Sequence, residues 1–331
     1  MLVSVVMPVY NGEVYLEEAI QSILSQTMSD FEFIIVNDGS IDRTKEILDH
    51  VMDSRVRVIH LTQNGGAASA MNKAIEQAKG EWIAVQDADD KSMPARLEEQ
   101  IKHLEAKDLS GVASLVKFLP GKRPLPEERL REEEAVNGIA TQEQIKACRF
   151  HGNPICHGTL TFSKQLFHQV GGYNSKFTIA YDYELWMKLF AILPIEKLGK
   201  VLYQYRVNLS SLGHSDMTET SIEVMAVSSN SIRRICFSDM AKSPRAVVIC
   251  SPKGCQVYQH HVLPDCQLDV VYFLYNCDIA QAELAYQLFL AYKVDLIIVL
   301  DGVGAWEVTD WLIQNGLEYN QHLFTIWNDI V

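Results

Sequence analysis

No C-x-x-C pair occurs in the 331 residues, and the seven cysteines are scattered and odd in number. Such spacing offers neither a zinc knuckle nor a disulfide framework and suits a reducing compartment. Long apolar runs are missing too. The opening stretch MLVSVVMPVYNGEVYLEEAI has no basic n-region and soon turns polar, and no segment approaches the ~20 apolar residues of a bilayer span. Secretion and membrane spanning are not expected; a cytoplasmic location is, with peripheral attachment to the inner membrane face left open. Basic charge is scarce as well. Lys and Arg number 29 against 42 Asp and Glu, a net charge of -13, which argues against a general nucleic-acid binder because phosphate neutralisation needs basic surface. A phosphate ligand would have to be met locally, by a metal or by backbone N–H groups.

What is present is enough to fold. Apolar residues make up 48% of the chain, sufficient for one large domain or two smaller ones. The first ninety residues alternate β-branched segments (LVSVVMPV, FEFIIVND, VRVIHL, EWIAVQD) with segments of helical periodicity (EVYLEEAIQSILSQ, DRTKEILDHVM, AASAMNKAIEQAKG). That alternation predicts an α/β fold, a mostly parallel sheet flanked by helices, whose ligands collect at the carboxyl ends of the strands. Those ends read PVYNG, NDGS and QDADD. The charged, proline-bearing stretch Pro120–Gly138 reads as an exposed insertion or mobile loop. A linker near SDMAKSPR divides a first domain, 1–240, from a smaller α/β block, 241–331, where the alternation restarts.

The end of the fourth strand carries three carboxylates in four positions, Asp87, Asp89 and Asp90. They repel one another unless a cation sits among them, and hard carboxylate oxygens suit Mg2+ or Mn2+. On extended chain Asp87 and Asp89 face one ligand while Asp90 turns away. Asp38 closes the second strand before Gly39, and its carboxylate can accept the imide N–H of a pyrimidine. By its own neighbours, Asp182 reads as the N-cap of a helix through YELWMKLFAI.

Five stretches in register, VSVVMPVYNGEVYLEEAIQSILSQT, FEFIIVNDGSIDRT, NGGAASAMNKAIEQAKGEWIAVQDADD, VGGYN and YDYELWMKL, resemble the inverting, metal-dependent glycosyltransferases of family 2, of the GT-A or nucleotide-diphospho-sugar transferase fold type. The resemblance covers about residues 2 to 215. It implies that Pro8, Val9, Tyr10, Asn11 and Asp38 hold the nucleoside, with Asp38 reading the base. It implies that Asp87 and Asp89 form the D-x-D, Asp89 as the metal ligand and Asp87 near the ribose, and that Asp182 is the catalytic base, a role compatible with capping. Asn64 and Asn72 flank a glycine-containing helix start whose N–H groups suit phosphate. His157, Gly171 and Gly172 fall on the acceptor side, as pocket residues or equally as turn and packing residues; Trp186 lies one helical turn past Asp182, where it could stack on a sugar or serve as a core aromatic; and Arg206 could face the diphosphate. Two positions depart from the family. Met71 stands where many relatives have arginine and others an apolar residue, and Lys73 reads as a solvated helix lysine ahead of a substitute cation; Asn208 stands where the family often has histidine, and His214 downstream reads as a surface histidine ahead of a replacement.

The implied reaction takes a sugar from a nucleotide-diphospho-sugar, UDP by default though thymidine has the same imide edge, to a glycan or lipid-linked acceptor, with Mn2+ or Mg2+ as cofactor. Cell-surface polysaccharide biosynthesis is its expected setting. Two alternatives remain. A nucleotidyltransferase would want a basic, glycine-rich loop after the first strand, which PVYNGEVYLEE lacks; a catalytically silent nucleotide-sugar or glycan binding module is suggested by Asn208 and Met71. The last block resembles, more faintly, the Rossmann-like unit at the front of some sugar acyltransferases. Its turn reads CSPKGCQ and keeps only Gly254, so close approach to a pyrophosphate is disfavoured and the expectation is docking to a protein partner or a membrane surface.

Overall fold

The computed structural model describes residues 3–208 and 216–330. Contacts divide the chain into two compact units, Met1–Ile145 with Pro154–Leu209, and Lys146–Asn153 with Ser210–Val331.

The first unit is built on a sheet of eight strands among the described residues: β1 (Val3–Val9), β2 (Phe31–Asn37), β3 (Val56–His60), β4 (Trp82–Val85), β5 (Lys91–Ser92), β6 (Gly111–Pro120), β7 (Thr161–Ser163) and β8 (Ile195–Val207). Their order is β3-β2-β1-β4-β7-β6-β8-β5. β3 to β4 run parallel, β7 is antiparallel to both neighbours, and β5 returns antiparallel to β8. β1 and β2 are nearly continuous apolar runs because helices cover both faces. The helix Leu16–Leu24 buries Leu16, Ala19, Ile20 and Ile23, a stripe at helical spacing, and Ala67–Gln77 does the same with Ala68, Met71, Ala74 and Ile75.

Register decides where the loops emerge. Val9 lies opposite Asn37, so β1 and β2 end side by side, whereas Val6 is opposite Val85, so β4 ends three residues lower. The acidic loop therefore leaves the sheet beneath the PVYNG turn.

The second unit carries a parallel sheet, β9 (Arg245–Cys250), β10 (Asp269–Tyr275), β11 (Leu296–Leu300) and β12 (Leu323–Ile326), in the order β10-β9-β11-β12. The helix Met217–Cys236 falls in this unit, whereas the linker near SDMAKSPR places the boundary after residue 240. Ser229 hydrogen-bonds Tyr258 Oη at 2.7 Å, and Ser221 Oγ accepts the Asp329 N–H at 3.1 Å.

Two expectations change. Pro120–Gly138 is not all loop, because Glu127–Gly138 is a helix that buries none of its residues. And Cys250 and Cys255 form a disulfide, since the strand end and the first turn of the next helix bring their Cα atoms to 5.7 Å. No helix among the described residues is long and apolar enough to cross a membrane.

Candidate active site

The turns after β1 and β2 are knitted together. Asn11, at positive φ, donates its N–H to Ser40 Oγ at 2.9 Å, and its own Oδ1 accepts the Ile41 N–H at 3.0 Å. The Gly12 N–H goes to Thr44 Oγ1 at 2.8 Å. Tyr10, on the same turn, keeps 49% of its surface exposed, which leaves an aromatic face open beside the strand ends. Asp38 is buried. Its two carboxylate oxygens accept the N–H groups of Gly65 and Gly66, each at 2.9 Å, while Asn64 Oδ1 takes a share of the Gly66 N–H at 3.0 Å. Gly39 sits at φ +70, and a Cβ there would lie 2.7 Å from Asn64 N, so the turn closes only with glycine. Pro8, Val9, Tyr10, Asn11, Asp38 and Asn64 thus come together.

Asn72 does not join them. Its amide pairs with both main-chain groups of Tyr173, accepting the N–H at 3.0 Å and donating to the carbonyl at 2.9 Å, and so clips the GGY turn to the helix. Gly172 packs into that clip: a Cβ would meet Asn72 Oδ1 at 2.9 Å and Phe167 at 3.0 Å. Lys73 is an exposed side chain paired with Glu76.

Asp87, Asp89 and Asp90 crowd the end of β4. Burial, then the Asp89 charge, pushes the Asp87 carboxyl up to about 7. Asp89, half-buried, is also raised by burial, opposed by the Arg206 charge and by a hydrogen bond from Asn208. Asp90 is buried and raised well above the usual range by burial and its two acidic neighbours, and Oδ1 accepts the Arg206 N–H at 2.6 Å. Asn208 therefore reaches Asp89, while His214 lies outside the described residues. The donors of Arg206 turn inward: Nε to Asp89 O at 2.8 Å, Nη1 to Pro120 O at 3.2 Å, Nη2 to Glu18, with the guanidinium 4.1 Å over the Tyr15 ring. Arg206 braces the acidic loop where the sequence suggested a diphosphate contact.

Such strained acids fit a divalent cation. Hard oxygens from Asp89 and Asp87 match Mn2+ or Mg2+, and a bound cation would relieve their mutual repulsion. Among the described residues no three His, Cys, Asp or Glu side chains form a ready-made cage; ions of this kind are commonly held by one or two carboxylates, with substrate phosphates and water completing the shell.

Asp182 lies in the first turn of the helix Tyr181–Phe190, where Oδ1 accepts the Tyr183 N–H at 2.6 Å. The cap position belongs to Ala180, so the expectation of an Asp182 N-cap is corrected. His157 is buried among Tyr173, Tyr181 and Trp186, with ring centroids 5.7 to 5.8 Å away, and its Nε2 meets Tyr173 Oη at 3.2 Å. Trp186 is fully buried; it backs this cluster from the core, so of its two readings the core aromatic holds and the sugar-stacking one does not. Burial lifts the Tyr181 hydroxyl well above its usual range, and the charges of Asp182 and Asp87 both add to the shift. Tyr173 feels the same two carboxylates. Asp182 and the acidic loop therefore face one aromatic cluster.

Sequence reasoning missed three residues here. Arg96 is a fully buried cation that donates to Ser92, Gln100 and Leu160 and lies 5.1 Å over the Tyr203 ring; burial lowers it to about 10, opposed by Tyr203, Asp87, Cys156 and Asp90. Tyr203 and Gly158 touch Asp87 directly.

A mostly parallel α/β sheet, with the turns after β1 and β2 above an acidic loop at the end of β4, is the architecture of the nucleotide-diphospho-sugar transferase fold. The S. aureus TarS fragment 1–349, solved in complex with UDP-GlcNAc, shares it, with a TM-score of 0.57 at 23% identity over 72% of this chain and 68% of that one. The pattern of glycosyl transferase family 2 matches residues 4–171, just over half of the chain, and the chain belongs to that family. Among similar proteins are an uncharacterized glycosyltransferase of Rickettsia felis, 28% identical over 73% of this chain and 40% of its own length, and the putative teichuronic acid biosynthesis glycosyltransferase TuaG of Bacillus subtilis, 43% identical over 31% of this chain and 42% of its own. The chain spans about two fifths of the length of each.

Proposed function

We propose that this glycosyltransferase moves a sugar from a nucleotide-diphospho-sugar, with UDP as the default carrier, to a glycan or lipid-linked acceptor, inverting the anomeric carbon, in the synthesis of a cell-surface polysaccharide. The observation that carries the reading is that Asp87 and Asp182 border one aromatic cluster: the His157–Thr159 turn passes against the Asp87 carboxylate at Gly158, the neighbouring His157 ring packs on Tyr173 and Tyr181, and both carboxylates act on those two hydroxyls. The name of TuaG supports the polysaccharide setting, and the UDP-GlcNAc bound by TarS supports a uridine donor.

In this reading the PVYNG turn and Asp38 hold the nucleoside, Tyr10 lies against the base, and Asp87 approaches the ribose. Asp89, with Asp87 beside it, would hold Mn2+ or Mg2+, which when bound stabilises charge on the leaving diphosphate. Asp182 takes the proton of the acceptor hydroxyl as that oxygen bonds to the anomeric carbon and the bond to the diphosphate breaks. One in-line displacement inverts the centre. The second unit is assigned to docking, at a membrane surface or a protein partner.

The test is release of nucleoside diphosphate from a panel of nucleotide sugars with Mn2+. Asp182→Asn should lower turnover by about 10²- to 10⁴-fold while donor binding persists, and Asp89→Ala should abolish both turnover and metal-assisted binding. Donor binding with no turnover across the panel would instead favour a silent binding module.

A further inference from the structure

The acidic loop is read by one strand. β5, which follows the loop, pairs antiparallel with β8, placing Lys91 opposite Gln204 and Ser92 opposite Tyr203. The loop is thereby folded back over β8, which with the residue after it takes each of the acids: Tyr203 meets Asp87, the Arg206 N–H holds Asp90, and Asn208, just past the strand, bonds Asp89.

The Tyr203 contact differs in kind from the other two. Sheet pairing of β4 runs out at Gln86, whose N–H goes to Val6 O at 3.0 Å. The next N–H, that of Asp87, donates to Tyr203 Oη at 3.1 Å, and the same hydroxyl donates to Asp87 Oδ2 at 3.4 Å. A phenolic oxygen can do both at once, having one proton to give and lone pairs to receive with. Tyr203 is fully buried and carries the Arg96 guanidinium over its ring, so neither partner is freely exchanged for water.

The slot is made by an absence. A Cβ on residue 158 would lie 2.1 Å from Tyr203 Oη and 2.6 Å from Asp87 Oδ2. The turn His157–Thr159 passes so close that only glycine lets the hydroxyl and the carboxylate meet, and that turn is itself pinned, by Gln100 Nε2 donating to Thr159 O at 2.7 Å.

We propose that Tyr203 is a positioning residue for donor binding: its hydroxyl locks the Asp87 main chain and carboxylate in the orientation that receives the nucleotide sugar, in a slot that exists because residue 158 is glycine. The proposal rests on the donor site assigned above and adds to it a residue that does not touch the donor.

Calorimetry with UDP and with dTDP, in the presence of Mn2+, tests it on the full chain. Tyr203→Phe deletes the hydroxyl and keeps the ring; the loss of a hydrogen bond to a charged group predicts binding about tenfold weaker, with a melting temperature within ~2 °C of the unsubstituted chain. Because Tyr203 acts through residue 87, the double variant with Asp87→Asn should lose clearly less than the two single losses added together. Gly158→Ala should weaken binding at least as much as Tyr203→Phe. Tyr203→Phe binding as tightly as the unsubstituted chain while Asp87→Asn loses affinity would overturn the positioning role and leave the donor site standing, as would additive losses in the double variant. If the unsubstituted chain takes up neither nucleotide, the donor site and the positioning role fall together.

Discussion

Burial, and after it the charge of Arg96, pushes the His157 imidazole down to about 3, so the ring stays neutral in the folded protein at ordinary pH. In the unfolded chain an imidazole titrates near ~6.5. Between those values the unfolded state binds more protons, so stability rises with pH across the window and is lost progressively as pH falls below about 6.5. Replacing His157 by Gln removes that titration. Denaturant unfolding at a series of pH values should therefore show the unsubstituted chain losing ~1–3 kcal/mol more than His157→Gln between about pH 6.5 and pH 4; parallel pH profiles would contradict the neutral, buried assignment. At this scale the sequence showed the acids but not their supports. Asp87, Asp89 and Asp182 stand in recognisable motifs. Arg96 sits in PARLEEQIKHLEA, where a periodic pattern puts an arginine on the wet face; its burial depends on Ser92, Gln100 and Leu160. Tyr203 looks like any strand aromatic, and Gly158 like any turn glycine.

Among the elements, the helix Glu127–Gly138 was the hardest to foresee, because it has no apolar face. It is supported by ion pairs such as Arg131 with Glu127 and Arg129 with Glu132, and by what it does for β6. β6 meets β7 only at Gly111 and Val112, which leaves later main-chain groups on that side without a strand. Asn137 Oδ1 accepts the Val116 N–H, and its Nδ2 donates to Val116 O, both at 2.9 Å; Glu133 accepts the Phe118 N–H at 2.5 Å and pairs with Lys117. Side chains stand in for the missing strand. Asn137→Ala should cost about 1–3 kcal/mol, since Val116 is buried and its polar groups would go unpaired, and amide exchange at Val116 and Phe118 should quicken while that of β1 stays slow. Unchanged exchange at Val116 would sink this account. The parallel half of the sheet was legible because strand and helix periods alternate over whole elements. β5 and β7, at two and three residues, are too short to impose a period, so the antiparallel half was not.

At the scale of the molecule, the second unit is discontinuous in sequence. Residues 146–153 belong to it although the first unit flanks them on both sides. Phe150 is almost fully buried and meets Phe324 edge-on at 5.4 Å, Asn320 Nδ2 donates to Ala147 O at 2.8 Å, and the Trp327 N–H goes to His151 O at 2.7 Å. Sequence composition could not reveal this, because a partner more than a hundred residues away leaves no local trace and the linker near SDMAKSPR drew the boundary instead. A consequence follows for dissection of the chain. Deleting residues 210–331 removes every one of these partners and uncovers Phe150, a loss of ~2 kcal/mol from the aromatic ring alone. The shortened protein should then be cut by protease within 146–153 and melt at a lower temperature than the full chain, even though the acidic loop, Asp38 and Asp182 all lie in the retained first unit. UDP binding by that fragment, measured with Mn2+, would separate the two contributions: retained affinity with new cleavage assigns unit two to holding this segment and not to the donor site, whereas resistance to cleavage at 146–153 would show that the segment does not depend on the second unit.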